Sequence, residues 1–256
     1  AEVEYEDRSD ASIYVAFPVT EWPKLIPEDL SGVVKEQRPV AVAVWTTTPW
    51  TLPANVALAF HPEARYLVVH EKGWPYHLLV AEPLVPRLTA VLKAGHPVTV
   101  GGAVGRDLQG LRCNTPFGDR VSVAVTDPGV SMEEGTGVVH IAPGHGQEDY
   151  LIGQRERLET RSPVDHQGRF TNEVPDYAGE TVFDANPKII ADLRRNGLLL
   201  AEQPLTHSYP HCWRCKQPVI FRATPQWFLS VEQHDLRTRL LDAARTVTWI
   251  PPAGLS

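Results

Sequence analysis

Two short apolar runs lie one loop apart in this chain, Pro39-Val40-Ala41-Val42-Ala43-Val44-Trp45 and Asn55-Val56-Ala57-Leu58-Ala59-Phe60. Both are bounded by residues that favour turns, as short β-strands are. Five more runs of this kind follow, at 66–70, 76–80, 98–100, 121–125 and 137–141. Many short strands at such close spacing favour a closed or nearly closed barrel.

Helical patterns are fewer than strand patterns. The sequence predicts helices over 147–158, over 184–196 with Asp184 as the N-cap, and over 231–245. A fourth helical segment, 79–93, is interrupted by two prolines. The expected fold class is therefore mixed β/α and mainly β, with a six-stranded, barrel-like domain over residues 1–200 that is decorated with helices.

The composition changes after residue 200. Between 207 and 228 the chain is dense in His, Cys, Trp and Arg and shows no strand alternation. This pattern predicts a small Cys/His-containing, zinc-knuckle-like module with a tail over 201–256. The acidic start of the chain and its apolar end indicate a fragment of a longer protein.

Composition also excludes several classes of protein. Of 256 residues, 43% are hydrophobic, which is enough for a substantial core. No apolar run approaches the roughly 20 residues of a membrane span, so no membrane partner is expected. Three cysteines cannot form a disulfide framework, which favours a cytoplasmic location. The net charge of -7 argues against a protein that coats nucleic acid, although not against one that handles only its tip.

The loop between the first two runs is rich in hydroxyl groups. Thr46, Thr47, Thr48 and Thr51 lie within ten residues of one another, together with the amide of Asn55. Such groups can bind a ribose, a carbonyl or a positioned water. The alternative interpretation is structural, because threonine is common in strands and a Pro-Trp pair can form a packed corner.

A second candidate site spans residues 133–150. A turn containing Gly137 opens a strand that includes His140, a Pro-Gly-His-Gly turn with His145 follows, and Asp149 lies in the first turn of the next helix. Glycine permits close backbone approach to a ligand. A core histidine and a helix-dipole partner would explain His140 and Asp149 equally well. However, all three side chains converge on one strand–turn–helix junction, where α/β sites commonly lie.

A third motif is the Cys-x-x-Cys pair formed by Cys212 and Cys215, which has the spacing of half a zinc site. A tetrahedral site needs four ligands, and the chain has no second pair, since Cys113 is isolated. His207 or His211 can add a ligand. A redox dithiol would use the same spacing, but the thioredoxin-like βαβ context is lacking.

These motifs occur together, in this order, in one family. The chain resembles the editing insertion (connective polypeptide 1) of class I aminoacyl-tRNA synthetases, and within that family the isoleucyl branch. The resemblance runs over 1–250, and its anchors are 45–55, 135–150 and 207–228, the last ending in Phe221-Arg222-Ala223-Thr224-Pro225-Gln226-Trp227-Phe228. Valyl and leucyl enzymes differ around Thr48-Pro49-Trp50, so a valyl- or leucyl-type editing domain is the alternative within the family.

The resemblance implies an ester hydrolase that removes valine from mischarged tRNA(Ile) and also hydrolyses valyl-adenylate. A synthetic pocket for isoleucine discriminates against valine by only about 150-fold, and the isoleucyl branch of the family is the standard example of that limit. The family's ATP-site signatures, His-Ile-Gly-His and Lys-Met-Ser-Lys-Ser, do not occur here, so we expect no ATP binding by this chain. The implied partners are the valine-bearing 3' end of tRNA(Ile), valyl-adenylate and the Rossmann catalytic domain of a longer isoleucine–tRNA ligase.

The resemblance also assigns roles by motif position. Asp149 would bind the α-ammonium, and the catalytic set would be Thr46, Thr47, Thr48, His140 and Asp149. Substrate-binding roles would fall to Trp50, Thr51, Asn55, Gly137, His145 and Asp149. No side chain is an obvious general base, which favours a water oriented by threonine hydroxyls and backbone groups.

Editing needs no cofactor in this family. Zinc in the longer protein would use Cys212 and Cys215 together with an upstream pair, so this chain is expected to hold half a site and no zinc. The rival interpretation from another class is a non-catalytic zinc-knuckle module that docks RNA or protein through 207–228.

Overall fold

A computed structural model describes residues 3–36, 38–118 and 120–255 of the chain. Its contacts define two compact units, Ala1–Ala223 and Thr224–Ser256. The strands of the first unit are β1 (Val3–Glu21), β2 (Val40–Thr46), β3 (Ala57–Phe60), β4 (Arg65–His70), β5 (His77–Ala81), β6 (Val98–Val104), β7 (Arg112–Asn114), β8 (Val121–Thr126), β9 (Val138–Ile141) and β10 (Leu199–Cys212). Its α-helices are α1 (Glu28–Lys35), α2 (Val85–Val91), α3 (Gln147–Glu156) and α4 (Val182–Arg195), and the second unit contains α5 (Leu236–Thr246).

The strands form an open sheet. Along one hydrogen-bonded path their order is β6-β4-β5-β2-β1-β7-β8-β3-β9, and β10 pairs with β1 beside that path. Most neighbours are antiparallel, but β2 pairs with β5, and β3 with β8, in parallel. The mixed, mainly β class is confirmed, as are the predicted strands β2 to β6, β8 and β9. The central strand β2 is buried from Val40 to Val44 because β1 and β5 flank it and the core covers its faces.

The expectation of a six-stranded barrel is wrong. The described part of the chain contains ten strands, and β6 and β9, at the two ends of the path, are not paired with each other. The reason is the length of β1, which is 19 residues. This strand pairs with β10 and β2 along most of its length and with β7 at its end, so it joins two portions of sheet without closing them.

The pairing of β1 with β10 forms a long antiparallel ribbon, which we call the β1–β10 ribbon. It runs in register from the Val3–Cys212 pair to the Tyr14–Ala201 pair. Its outer part is mostly exposed on both faces, so its sequence lacks the apolar–polar alternation of a half-buried strand. Residues 207–212 therefore belong to β10, although their sequence shows no strand alternation. The first compact unit extends to Ala223, whereas the sequence placed a boundary at residue 200.

The helices largely follow the sequence signals. Helix α3 begins at Gln147, as predicted. Helix α4 begins earlier than predicted, because its N-cap is Thr181, whose hydroxyl accepts a hydrogen bond from the Asp184 amide (3.2 Å) and donates one to Oδ2 of Asp184 (2.7 Å). In the second unit α5 begins only at Leu236, because positive φ angles at the two preceding residues interrupt the helix. None of the described helices is long and apolar enough to cross a membrane.

Candidate active site

Residues 46–55 follow the buried part of β2, Val40 to Val44, and we call this segment the threonine loop. Thr46 is the last residue of that strand, and its hydroxyl accepts a hydrogen bond from the Thr48 amide (3.0 Å). The Thr47 and Thr48 hydroxyls lie 3.5 Å apart. A buried 3-10 helix, Pro49–Ala54, follows directly and carries Trp50 and Thr51. Proline at its first position favours this start, because it needs no amide partner there.

His140 lies in β9 and is held by two side chains from the threonine loop. Its Nε2 is 2.8 Å from the Thr51 hydroxyl, and its Nδ1 is 3.5 Å from Nδ2 of Asn55. The Thr51 hydroxyl already donates its proton to the Thr48 carbonyl (2.8 Å), so it accepts from His140. The proton of the imidazole is thus assigned to Nε2. Burial lowers the pKa of His140 to about 4, so the ring is neutral near pH 7.

His145 packs beside the same helix. Its ring meets that of Trp50 edge-on, with centroids 4.9 Å apart, and its Nδ1 donates to the Phe221 carbonyl (3.1 Å). The buried Nε2 has no hydrogen-bond partner among the described residues. Burial lowers the pKa of His145 to about 4. The turn before it requires glycine at 144, since a Cβ there would lie 1.9 Å from the Arg161 carbonyl oxygen.

Asp149 lies in the first turn of α3 and reaches back to the end of β9. Its Oδ2 accepts a hydrogen bond from the amide of Ala142 (2.8 Å), two residues after His140. Burial raises the pKa of Asp149, and the Ala142 amide opposes that shift. No ion pair in the described part of the chain involves this carboxylate, and no hydrogen bond joins it to the threonines or to His140.

Asp149 is one of the residues that line a cavity of about 370 Å³ between α3 and the sheet. The other lining residues are mostly apolar, with two acidic residues and one arginine: Ala59, Gly129, Val130, Val139, Ile141, Leu151, Ile152, Asp127, Glu148 and Arg155. Val139 and Ile141 alternate with His140 along β9, so the imidazole projects from the other face of the strand. The structure thus gathers the threonines, Asn55, His140, Trp50 and His145 on one side and places Asp149 at the strand end.

Gly137 is in contact with the core. It adopts a positive φ of 72°, and a Cβ there would lie 2.3 Å from the Cβ of Ala81. Its carbonyl accepts a hydrogen bond from the Tyr66 hydroxyl (2.6 Å). These contacts give the glycine a packing role beside the predicted substrate role.

Sequence reasoning missed two residues that contact this site. Phe221 supplies the carbonyl that binds His145. Arg120, from the turn between β7 and β8, donates to the carbonyls of Pro53 (2.5 Å) and Asn55 (3.1 Å). Neither contact is local in sequence, so only the motif around Phe221 gave any signal.

The cysteine pair lies at the far end of the β1–β10 ribbon. Cys212 and Gln217 are bridged by a backbone hydrogen bond (2.8 Å), and the Lys216 amide donates to the Cys212 carbonyl (2.8 Å), which closes a tight turn. Backbone amides of Cys215 and Arg214 lower the pKa of the Cys212 thiol, as suits a thiolate ligand. We call this turn the cysteine hairpin.

The cysteine hairpin offers two potential thiolate ligands, Cys212 and Cys215, whereas a tetrahedral zinc site needs four. Within the described residues, no group of three or more His, Cys, Asp or Glu side chains is arranged to hold a metal ion. The two candidate histidines are engaged elsewhere: His207 pairs with Asp10 (3.0 Å), and His211 binds the Tyr209 carbonyl (2.9 Å).

Comparison with known proteins identifies relatives along the whole chain. No family model matches it. The chain is 49% identical over 255 residues to an isoleucine–tRNA ligase of Nitratidesulfovibrio vulgaris (strain DP4) and 44% identical over 256 residues to that of Fervidobacterium pennivorans. These matches cover 99% of this chain but 26% of each ligase, so the chain spans about a quarter of the length of these curated relatives.

Solved structures show the same fold at low sequence identity. A leucyl-tRNA synthetase CP1 domain (GlLeuRS-CP1) matches with a TM-score of 0.57 and 14% identity, over 73% of this chain and 97% of that domain. The editing domain of the cytosolic leucyl-tRNA synthetase of P. knowlesi matches with a TM-score of 0.56 and 11% identity, over 78% of this chain and 97% of that one. The chain is therefore similar along its whole length to one segment of isoleucine–tRNA ligases, and its fold is that of the leucyl-tRNA synthetase editing domains.

Proposed function

We propose that this chain is an editing deacylase that hydrolyses the ester bond of mischarged Val-tRNA(Ile). The observation that carries the proposal is the end of β9. There a neutral His140 is braced by Thr51 and Asn55, and the Asp149 carboxylate is anchored two residues further on. The similarity to isoleucine–tRNA ligases and the editing-domain fold support the same reaction.

Asp149 is the group that would bind the α-ammonium of the valyl moiety. Its Oδ2 accepts from Ala142, which fixes the carboxylate and leaves lone pairs for a charged donor. Burial raises the pKa of this carboxyl, and a bound ammonium would favour its ionised form. A charge-assisted contact of this kind is about twice as strong as a neutral hydrogen bond.

The threonine hydroxyls would orient the attacking water. The water oxygen adds to the ester carbonyl carbon, the tetrahedral intermediate forms, and the bond from that carbon to the ribose oxygen then breaks. His140 is a poor general base, because its Nε2 proton is committed to Thr51 and its pKa is about 4. We therefore assign proton transfer from the water to the leaving oxygen to the neighbouring ribose hydroxyl of the substrate. The protein's contribution is positioning and electrostatics.

The same site would also accept valyl-adenylate, which presents the same ammonium and acyl group. The other partners would be the 3' end of tRNA(Ile) and the catalytic domain of a longer ligase. We place the reaction in the cytoplasm, where three free cysteines persist as thiols. Zinc plays no part in the editing step; in the longer protein Cys212 and Cys215 would supply two of its ligands.

Deacylation assays test this function directly. The chain is expected to release valine from Val-tRNA(Ile) and to leave Ile-tRNA(Ile) intact. Asp149→Asn should abolish the release, whereas Asp176→Asn, an exposed control, should not change it. A folded Asp149→Asn variant with wild-type activity would remove the assignment of the ammonium site.

Other mischarged tRNAs separate the remaining alternatives. A valyl- or leucyl-type editor would instead act on Thr-tRNA(Val) or on mischarged tRNA(Leu). If no ester is hydrolysed while RNA still binds, and removal of 207–228 abolishes that binding, the non-catalytic interpretation is correct.

A further inference from the structure

Arg120 lies outside every sequence motif described above, yet it contacts the end of the 3-10 helix within the threonine loop. It follows β7 and precedes β8, and its guanidinium is partly buried. Nη1 donates to the Asn55 carbonyl (3.1 Å) and Nη2 to the Pro53 carbonyl (2.5 Å). A planar guanidinium can reach two oxygens at once in this way, whereas an ammonium acts as a point charge.

The two carbonyls lie at the C-terminal end of the 3-10 helix Pro49–Ala54. The chain becomes extended at Asn55 (ψ 138°), so these oxygens lack helical partners. A helix C-terminus carries a partial negative charge, which a cation stabilises. Arg120 therefore supplies the hydrogen-bond donors that the two carbonyls at this helix end would otherwise lack.

Arg120 forms no ion pair within the described residues. Burial, and then the nearby Arg161, lower its pKa, so the surroundings oppose its charge. An arginine in this position is held chiefly by its two carbonyl acceptors. Replacement by a neutral side chain would therefore release the helix end and leave two carbonyls without their donors.

The same helix end determines how His140 is held. The carbonyl of Asn55 binds Arg120, while its side-chain amide binds the Ala57 carbonyl (2.9 Å) and approaches His140 Nδ1. The Thr51 hydroxyl, one turn earlier, accepts a hydrogen bond from His140 Nε2. Both contacts to the imidazole thus come from the segment that the guanidinium clamps.

We propose that Arg120 is a positioning residue, which clamps the end of this helix so that Thr51 and Asn55 hold His140 in one orientation and one tautomer. The clamp needs both carbonyl contacts. Its importance for hydrolysis rests on the proposed editing function, but the effect on the ring of His140 does not.

The first test is nuclear magnetic resonance of the histidine ring nitrogens in the substrate-free chain. Arg120→Gln should shift the ring signals of His140 from the Nε2-protonated form toward a mixture of tautomers. Arg120→Lys, which keeps the charge but reaches one carbonyl, should give a smaller shift. Arg106→Gln is the matched control, because Arg106 is exposed and its side chain makes no ion pair in the described part of the chain; its spectrum should match the wild type.

The second test is the kinetics of Val-tRNA(Ile) deacylation. Arg120→Gln should lower kcat by about 100-fold with a KM within a few-fold of wild type, since a misplaced group slows the step without weakening binding. Arg120→Lys should recover part of that loss. If Arg120→Gln does not fold, Arg120→Lys decides the question in both tests.

The two experiments distinguish failure of the Arg120 clamp from failure of the proposed function. Unchanged His140 signals in a folded Arg120 variant would overturn the clamp, whatever the kinetics. A wild-type chain that does not hydrolyse Val-tRNA(Ile) would overturn the proposed function, and shifted His140 signals would still support the clamp.

Discussion

The imidazole of His140 is buried, neutral and held at both nitrogens, and each of these properties follows from its neighbours. Thr51 cannot donate to it, because its own proton goes to the Thr48 carbonyl. Asn55 donates to the other ring nitrogen. We therefore expect His140 to act as a wall or an anchor for substrate rather than as a proton carrier.

Replacement of His140 by alanine tests which of these two roles it has. If the ring limits the side-chain pocket, His140→Ala should admit one more methylene, and Ile-tRNA(Ile) should begin to be hydrolysed. Steric exclusion of this kind is worth about 1–3 kcal/mol, or roughly 10- to 200-fold in rate. The measurement is the ratio of valyl to isoleucyl deacylation rates. An unchanged ratio, with both rates lowered, would show that the ring contacts the ribose.

The two buried histidines should also make folding sensitive to pH. Their pKa values are about 4 in the folded chain and about 6.5 when unfolded, so between these values the unfolded chain binds more protons. The free energy of unfolding should therefore have its full value above pH 6.5 and decrease as the pH falls from 6.5 toward 4. At pH 5.0 each ring should contribute a loss on the order of 2 kcal/mol relative to pH 7.5.

Urea unfolding at pH 5.0 and 7.5 measures this loss. His140→Gln and His145→Gln should each reduce the difference between the two pH values, while His96→Gln, an exposed control, should not. Identical differences in all four proteins would contradict the assignment of neutral, buried rings.

At the scale of secondary structure, α4 connects the sheet to the site, because it packs on the 3-10 helix of the threonine loop. Its start depends on Thr181, whose hydroxyl exchanges hydrogen bonds with Asp184. Thr181→Ala should lower the free energy of unfolding by about 1 kcal/mol, as loss of an N-cap does. Thr181→Ser retains the oxygen and should stay close to wild type in the same urea titration; equal losses in both variants would exclude the cap as the cause.

The elements that sequence predicted are those whose stabilising contacts are local or uniformly apolar. β2 was predicted because it is apolar and buried from Val40 to Val44. β10 was missed because its stability comes from pairing with β1, some two hundred residues away in sequence, and its exposed faces carry no pattern. The start of α4 was misplaced because Thr181 and Asp184 both cap well, and only the geometry shows which one does.

In the candidate site, too, local features could be predicted from sequence and long-range contacts could not. Sequence motifs supplied His140, the threonines and Asp149, but not the contacts among them. The Thr51–His140 hydrogen bond spans 89 positions, and the Arg120–Asn55 contact spans 65. Such contacts depend on the order of strands in the sheet, which no local pattern encodes.

At the scale of the whole molecule, the ribbon determines which truncations can fold. A chain ending at residue 200 would lose nearly all of β10 and expose the paired edge of β1, including the backbone beside the buried Ile13 and Tyr14. A chain ending at residue 223 keeps the entire first unit. We expect the longer version to unfold cooperatively in urea and the shorter one to aggregate or to lose its cooperative transition. A cooperative transition in the chain of 200 residues would show that β10 is dispensable.

The β1–β10 ribbon has one further consequence, because its two strands stay in continuous register from the cysteine hairpin to the sheet. The length of the ribbon therefore determines the distance between the cysteine hairpin and the sheet. Removing one facing residue from each strand would turn every later side chain to the opposite face. Removing two from each would preserve the faces and shorten the ribbon by about 7 Å. Variants that keep every side chain on its present face can therefore change the distance between the cysteine hairpin and the sheet only in steps of two residues per strand.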